Sequence, residues 1–532
     1  MAHDSLLALP QVKPPRTRKH HGPGMARALQ AFYLPAGIFL LWWLGARHHW
    51  MSEQILPAPS LVWQSALELA AGDLPGNLWI SLQRLFWGLL AGILSGAVLG
   101  AWMGFSPRAE RLVLPTFTAL AQIPTLAWIP LFMVFFGIGE LLKLVVLIKA
   151  IIVPITLHTL VGVRDAQPRL REAAAVLRLP PRLLIRRLIV PAALPSFMAG
   201  VRLALGAGWS SLLAVELLAS SEGIGYLMVW ARQLFMLDIV FVCVVVIGVI
   251  GVVMDKGIAL ADRKLVHWPH AATAALPRTA PAQGLDRLTP WLLPALLLGL
   301  WQLADQLHWV NAIILPAPLV VLHTTWAGLL DGSLLTAMGL SLGRTVGGLV
   351  LGGGLGFLLG VLLGLSKTSE RVLGPSLGAL RQIALFAWVP LITAWFGLGE
   401  PAKWVFVALA AFFPLFIATH RSVASLSPQL CEAAQVLRLN LWQRLRRLVL
   451  PGAAPGIFAG LRLSLIYAWL GTIGAEYFMP SNGGIASLMI GAQELMRMDL
   501  IMSGMLLVGI TGALLNALGQ RIEARATRWR HA

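Results

Sequence analysis

Two glutamates draw attention because each begins the same short cassette, half a chain apart. Glu172 lies in "REAAAVLRLP" (171–180) and Glu432 in "CEAAQVLRLN" (431–440), so the two are separated by 260 residues. A carboxylate early in a helix complements the helix dipole, and it can also form charge-assisted hydrogen bonds with a basic partner. The chemistry that these residues offer is recognition of a partner.

The residue types needed for hydrolysis or metal binding do not occur in a usable pattern. A P-loop requires G-x-x-x-x-G-K-[ST] to cradle phosphate, and the nearest string, "GVLLGLSKTSE" (360–370), lacks the Gly-Lys pair. There is no His/Glu metal set and no nucleophile elbow, and the two cysteines, Cys243 and Cys431, indicate neither a disulfide nor a metal site. We expect a protein without enzymatic activity of its own, which binds no cofactor and no metal.

Composition indicates that the elements carrying these residues lie in a membrane. The chain has 532 residues, of which 58% are hydrophobic and 12% charged, with a mean hydropathy of +0.77, whereas soluble domains carry about 25% charged residues. The uncharged run at 85–105 is long enough to cross about 30 Å of hydrocarbon. The formal charge of +18 is concentrated in basic clusters beside apolar runs, the pattern that retains loops in the cytoplasm. We therefore expect contact with membrane lipid and no nucleic-acid partner.

The chain is a tandem duplication. "ILPAPS" (55–60) returns as "ILPAPL" (314–319), and the later echoes keep an offset of 260. These later pairs are "SLQR" and "SLGR" (81–84, 341–344), "LAWIPL" and "FAWVPL" (126–131, 386–391), and "FGIGE" and "FGLGE" (136–140, 396–400). We predict two homologous halves, 29–265 and 290–525, joined by a linker at 266–289 and flanked by basic cytoplasmic tails at 1–28 and 526–532.

The predicted fold class is an all-α integral membrane protein with about six transmembrane helices in each half. The predicted segments are 31–46, 78–105, 111–136, 140–162, 190–218 and 234–260, then 290–307, 338–365, 371–396, 400–421, 450–477 and 495–519. An even number returns each half to its starting side, so the repeats are parallel, both termini are cytoplasmic and the cassettes lie in cytoplasmic loops. Parallel copies facing each other would enclose a path, as in several transporters.

Ionisable residues inside membrane segments are candidates for function because burying charge in hydrocarbon is costly. Arg84 and Arg344 are predicted to snorkel to the headgroups from the outer start of segment two. Glu216 and Glu476, deeper in segment five, are expected to be satisfied by neighbouring helices or outer-loop backbone, with gating as the alternative.

A break in segment three marks a candidate pathway. Prolines at membrane depth, as in "QIPTLAWIP" (122–130), are tolerated where irregular backbone lines a cavity or is buried in protein. Packing is the alternative role for the tryptophans. The candidate pathway residues are Gln122, Thr125, Trp128, Gln382 and Trp388, with Trp209 and Trp469 opposite.

Each cassette is predicted to form two short helices before a proline-rich entry into segment five. Pro168, and Ser427 with Pro428, start the first helix, and "LLIRRLIV" and "LWQRLRRLVL" form the basic second one. A basic amphipathic helix could simply lie on anionic headgroups. Duplication at a fixed distance from a membrane helix, with a carboxylate kept in both copies, favours partner binding instead.

The Glu-Ala-Ala cassette followed by a basic helix and a proline-containing membrane entry resembles the cytoplasmic loop of binding-protein-dependent ABC importer permeases. The repeated "AWIPL…FGIGE…K" pattern and "GVRLALGAGWSSLLAVELLASSEGIGYL" (200–227) resemble the branch that serves nitrate, sulfonates, taurine and bicarbonate. The likeness implies a type I importer permease fold, and it implies that loops 165–189 and 425–449 dock on an ATPase. The coupling residues implied by the resemblance are Glu172, Ala173, Ala174, Arg178, Glu432, Ala433, Ala434 and Arg438.

The resemblance also implies the partners. These are two copies of a cytoplasmic ATPase that uses ATP-Mg, and a periplasmic or lipid-anchored substrate-binding protein, at a bacterial inner membrane. The expected substrate is a small oxyanion. A neutral cofactor precursor, an ion-driven carrier and a non-transporting scaffold remain alternatives.

One departure from the family pattern concerns the end of the cassette helix. The family usually has glycine six residues after the glutamate, and this chain has Arg178 and Arg438 there. We predict a shifted turn, supplied by Pro180–Pro181 in the first copy and Leu439–Asn440 in the second.

Overall fold

The fold is all-helical in the part of the chain that the computed structural model describes. Those residues are 30, 32–164, 172, 174, 176–266, 288–309, 311–480 and 483–528. The predicted N-terminal tail, most of the linker and the end of the C-terminal tail lie outside them, so these domain boundaries stay predictions.

The described residues of the first half include nine helices in chain order. Helices α1 to α9 are Tyr33–Arg47, Pro59–Ala71, Asp73–Phe105, Pro107–Gln122, Ile129–Phe136, Glu140–Arg164, Pro181–Ala219, Ile224–Gln233 and Leu237–Leu265.

The second half repeats this order and adds a described cassette helix. Helices α10 to α19 are Thr289–Gln306, Pro318–Leu330, Ser333–Leu365, Lys367–Leu380, Val389–Phe396, Glu400–Ala424, Pro428–Val436, Trp442–Phe478, Ile485–Glu494 and Met498–Ala526.

Eight of the described helices are long and apolar enough to cross a membrane, and the number rises to ten if each of two bent pairs forms one span. Each bent pair, α4 with α5 and α13 with α14, turns by 91° at a short break. The predicted segments at 31–46 and 290–307 are helical as α1 and α10, but neither is among these ten. The predicted six transmembrane helices in each half, twelve in all, therefore require that α1 and α10 also span the membrane. The orientation of the termini stays a prediction.

The outer surface of the helices is apolar, as expected of a protein solvated by lipid. Val98 is 71% exposed and Trp63 66% exposed, and the same holds for Leu358 in the second half at 63%. The interior forms one large hydrophobic cluster to which both halves contribute.

Glycines allow the central helices of each half to pack closely. In α3 they recur every fourth residue, at 88, 92, 96 and 100, along the face that meets α6. A methyl group on Gly100 would lie 2.5 Å from the Thr156 carbonyl oxygen. In α12 glycines at 348, 352, 356 and 360 face α15 in the same way. Small residues at such spacing let membrane helices approach each other closely.

Candidate functional site

A buried ion-pair network joins four helices of the first half. Arg84 in α3 donates to both carboxylate oxygens of Glu140 at 2.6 and 2.8 Å and to Glu216 Oε1 at 2.9 Å. The Ser81 hydroxyl donates to Glu216 at 2.8 Å, and the Gly225 amide donates to the other Glu216 oxygen at 3.1 Å. Because Arg84 is only 5% exposed and Glu216 1% exposed, the two charges balance each other inside the protein.

The second half repeats this network. Arg344 donates to Glu400 at 2.5 and 2.9 Å and to Glu476 Oε1 at 2.7 Å. The Ser341 hydroxyl donates to Glu476 at 2.7 Å, and the Ala486 amide donates to it at 3.0 Å. The duplicated sequence has therefore preserved a duplicated set of contacts.

The prediction that Arg84 and Arg344 snorkel to headgroups is wrong, because both guanidinium groups are buried and paired. The structural role expected for Glu216 and Glu476 agrees with their hydrogen bonds. Sequence reasoning missed the partners of the arginines, Glu140 and Glu400, although both end the repeated "FGIGE" and "FGLGE" motifs. Lys143 and Lys403 complete the sets, 2.8 and 3.7 Å from those glutamates.

The break in the first half brings three of the predicted pathway residues together. Gln122 is the last residue of α4, and a 3-10 turn, Thr125–Trp128, leads into α5. The Trp128 indole N–H is buried and has no hydrogen-bond partner among the described residues. Lys149, which sequence reasoning missed, reaches this break from α6: its ammonium donates to the Ile123 carbonyl at 2.7 Å and lies 3.3 Å from the Thr125 hydroxyl. A lysine within an apolar run, "LVVLIKAIIV" (144–153), was the signal available in the sequence.

The break in the second half has the same shape and different chemistry. A 3-10 turn, Leu385–Trp388, leads into α14, and the Trp388 side chain is partly buried. The Gln382 amide lies 3.5 Å from Asp255 of the first half, and Asp255 accepts from Arg202 at 2.8 and 2.9 Å. This break is therefore in polar contact with the other half.

Each break also packs against long helices of the opposite half. A methyl group on Gly512 of α19 would lie 3.2 Å from the Gln122 carbonyl oxygen and 3.5 Å from Trp469 Nε1. Helix α7, which carries Trp209, contacts the 3-10 turn of the second half. Trp469 thus lies near the break of the first half, and the helix that carries Trp209 contacts the break of the second half. The role of both tryptophans in the pathway stays a prediction.

Both tryptophans also belong to the hydrophobic core, as the packing alternative expected. Trp209 is 4% exposed and Trp469 2% exposed. Each indole N–H is nevertheless without a hydrogen-bond partner among the described residues. Packing explains why the two indole rings are buried. It does not explain why their N–H groups lack hydrogen-bond partners among the described residues.

The cassette of the second half forms helix α16, which begins at Pro428 as predicted. Ser427 is its N-cap residue, but its hydroxyl contacts the Gln429 side chain and does not cap the helix. Glu432 and Ala433 are exposed, whereas Ala434 is only 5% exposed. The carboxylate therefore faces outward while the second alanine faces the protein.

The first cassette has the same arrangement where it is described. Glu172 is exposed and Ala174 is 5% exposed, and Ala173 and the predicted start at Pro168 lie outside the described residues. The two residues before the arginine are strongly exposed and apolar in both copies: Val176 and Val436 are each 83% exposed, and Leu177 and Leu437 each 70% exposed.

The predicted shift of the turn is wrong, because the arginines themselves adopt the conformation that glycine would supply. The backbone φ angle is +48° at Arg178 and +47° at Arg438. The Leu439 amide donates to the Ala434 carbonyl at 3.1 Å and the Arg438 amide to the Gln435 carbonyl at 3.0 Å, which is the Schellman pattern of a helix end. In the first copy the Leu179 amide donates to the Ala174 carbonyl at 3.1 Å.

Within the described residues, no cluster of three or more His, Cys, Asp or Glu side chains could hold a metal ion. Cys243 is buried and free, and the Cys431 side chain lies outside the description.

Comparison with known proteins assigns both halves to the same family. Residues 88–267 and 352–529 each match the model of the binding-protein-dependent transport system inner membrane component. The matched segments contain the ion-pair glutamates, the breaks and the cassettes of their respective halves.

Individual relatives align with about half of the chain. An aliphatic sulfonates transport permease protein of Bacillus subtilis (strain 168) is 35% identical over 269 residues, which is 50% of this chain and 98% of the relative. The taurine transport system permease protein of Escherichia coli (strain K12) is 32% identical over 239 residues, 44% of this chain and 87% of the relative. An aliphatic sulfonates transport permease protein of the same strain is 36% identical over 248 residues, 47% of this chain and 94% of the relative.

Proposed function

The chain belongs to the family of binding-protein-dependent transport system inner membrane components, and on that premise we propose that it is a two-half permease that imports small sulfonate anions. The substrate class rests on the relatives, which are named as aliphatic sulfonate and taurine permeases. Each relative corresponds to one half, so a single chain supplies what two copies of such a relative would supply.

The observation that carries this proposal is the pair of matching cassettes. Each presents an exposed glutamate and an exposed Val-Leu pair, and the exposed fractions of the two Val-Leu pairs agree between the copies. Exposed apolar residues beside a charged group are typical of a surface that binds another protein. Two equivalent surfaces match two copies of one partner, a cytoplasmic ATPase that binds and hydrolyses ATP-Mg.

The proposed mechanism is alternating access. Closure of the two ATPase subunits moves loops 165–189 and 425–449, whose last residues pack against the cytoplasmic ends of α6 and α15 through Ile189 on Val163 and Val449 on Val423. Movement of each loop is thereby transmitted to the helix that follows it, α7 or α17. Each of these helices contacts the break of the opposite half, so the movement also reaches that break. A periplasmic or lipid-anchored binding protein delivers the solute, and both termini lie in the cytoplasm.

Reconstitution with a partner ATPase and a substrate-binding protein tests the proposal. We expect sulfonate uptake that depends on ATP, and we expect E172R together with E432R to abolish it while the permease still folds. E370R is the matched control, because Glu370 is exposed and lies outside both cassettes, with its carboxylate 3.5 Å from His420. Uptake that survives ATP depletion and collapses with the ion gradient would instead identify an ion-driven carrier.

A further inference from the structure

Lys149 is a lysine within an apolar membrane helix, and no carboxylate contacts it in the described part of the chain. Its ammonium has two polar contacts, the Ile123 carbonyl at 2.7 Å and the Thr125 hydroxyl at 3.3 Å, and it lies 5.7 Å from the centre of the Trp128 ring. The other basic residues of the membrane helices described above, such as Arg84 and Arg344, each have carboxylate partners. A positive charge left without a counter-ion in this setting is costly.

The second half shows that this charge is not required to build the break. At the equivalent positions the second half has Leu409 in place of Lys149, Leu385 in place of Thr125 and Ala384 in place of Pro124. The bend is nevertheless 91° in both halves. Since the same backbone geometry forms without a lysine, the cost of Lys149 calls for an explanation other than folding.

The position of Lys149 points to that explanation. The loop at 122–125 that it contacts lies where the two halves meet, with Ile123 against Gly509 of α19 and Gln122 near Trp469. The Trp469 indole N–H is buried and has no partner among the described residues. A positive charge and an unused hydrogen-bond donor therefore flank the same short loop, and both are suited to an anion.

We propose that Lys149 is a specificity-determining residue whose charge compensates the negative charge of the solute as it passes the break in the first half. The inference rests on the proposed import of sulfonates and deepens it: the permease favours solutes of net charge −1 over zwitterions with the same sulfonate head. The Trp469 indole is the neutral donor near the same loop.

The test compares two probes in proteoliposomes that contain the full permease with its ATPase and binding protein. Ethanesulfonate carries one net negative charge, and taurine has the same head but no net charge. The variants are K149Q, which removes the charge and keeps a donor for the Ile123 carbonyl, and K149R, which keeps the charge. K256Q is the matched control, because Lys256 is an exposed lysine in α9 with no ion pair given by the structure.

We expect K149Q to lower the ratio of ethanesulfonate to taurine uptake at least about fivefold, the fold-change that one ion pair at about 4 Å gives even with the full screening of bulk water. K149R and K256Q should keep the wild-type ratio within about twofold, the spread expected where the charge is retained or distant. The same binding protein serves every variant, so its own preference cancels from the comparison.

Equal changes in both rates for K149Q, or no change in either, would overturn the inference and leave Lys149 as a support of the loop. Wild-type protein that moves neither probe would overturn the proposed substrate class, and the inference with it. If K149Q does not assemble with the ATPase, K149R provides the test. Because K149R preserves the charge, a changed ratio of ethanesulfonate to taurine uptake in K149R would count against a role for charge.

Discussion

Arg84 and Glu216 lie 132 positions apart in the chain and form a buried ion pair at 2.9 Å. The guanidinium also forms two hydrogen bonds with Glu140. A single side chain therefore fixes the start of α6 and the end of α7 relative to α3. The equivalent pair in the second half, Arg344 and Glu476, makes the same connection at 2.7 Å. These contacts form a rigid frame in each half, and the broken segments and cassettes are attached to that frame.

Removal of Arg84 should strongly destabilise the permease. R84A leaves Glu216 buried with the Ser81 hydroxyl and the Gly225 amide but no cation, and losing one partner of a buried pair costs about 3–5 kcal/mol. Unfolding in mixed micelles measures the change, with R108A as the control because Arg108 is an exposed arginine at the start of α4. Ordinary surface substitutions change the free energy of unfolding by no more than about 0.5 kcal/mol. A change that small in R84A would show that the pair does not stabilise the fold.

Gly100 should tolerate no larger side chain. G100A places a methyl group 2.5 Å from the Thr156 carbonyl oxygen, so α3 and α6 must move apart, at a cost of about 1–3 kcal/mol. G206A is the matched control, because a methyl group there meets nothing within 4 Å and alanine gains about 0.5–1 kcal/mol over glycine in a helix. The two variants should therefore shift unfolding in mixed micelles in opposite directions, and equal shifts would argue against close packing at Gly100.

Glycine in place of Arg178 or Arg438 should strengthen the end of each cassette helix. Both arginines have φ near +48°, a conformation that costs a residue with a side chain about 1–2 kcal/mol. Hydrogen exchange of the Leu179 and Leu439 amides, which close the helix ends, should slow in R178G and R438G. R178A and R438A keep the strain and are the controls. Faster exchange in the glycine variants would mean that the arginine side chains hold the turn.

Asn77 should stabilise the loop that connects α7 to α8 in the first half. Its side-chain oxygen accepts from the Gly223 amide at 2.8 Å, and leaving a buried amide without a partner costs about 1–3 kcal/mol. N77A should accelerate exchange of the Gly223 amide.

The second half offers the reverse experiment for this contact. Its equivalent residue, Ala337, lines an open cavity with Leu340, Gly483 and Gly484, so A337N has room to place an amide beside Gly483. We expect slower exchange at Gly483, and unchanged exchange at both glycines in the two variants would contradict the role assigned to Asn77.

The sequence was sufficient for the membrane class, the duplication and the family. Each of these depends on patterns that a chain displays without folding: long apolar runs, basic clusters and motifs that recur at a fixed spacing. It also located the break in segment three, because proline at membrane depth removes an amide donor and leaves backbone that must be satisfied elsewhere.

The partners of the charged residues were decided only by the tertiary structure. Arg84 lies near the end of an apolar run, which suits snorkelling as well as pairing, and only the packing of α6 and α7 beside α3 brings Glu140 and Glu216 to it. The same holds for Lys149, whose contacts come from a loop 26 residues earlier in the chain, and for Trp469, which meets a loop of the other half. The left-handed backbone at Arg178 and Arg438 likewise follows from the hydrogen bonds that close the cassette helix, since arginine has no local preference for that conformation. Local patterns specify the helices, whereas pairings between distant residues depend on which helix faces come together.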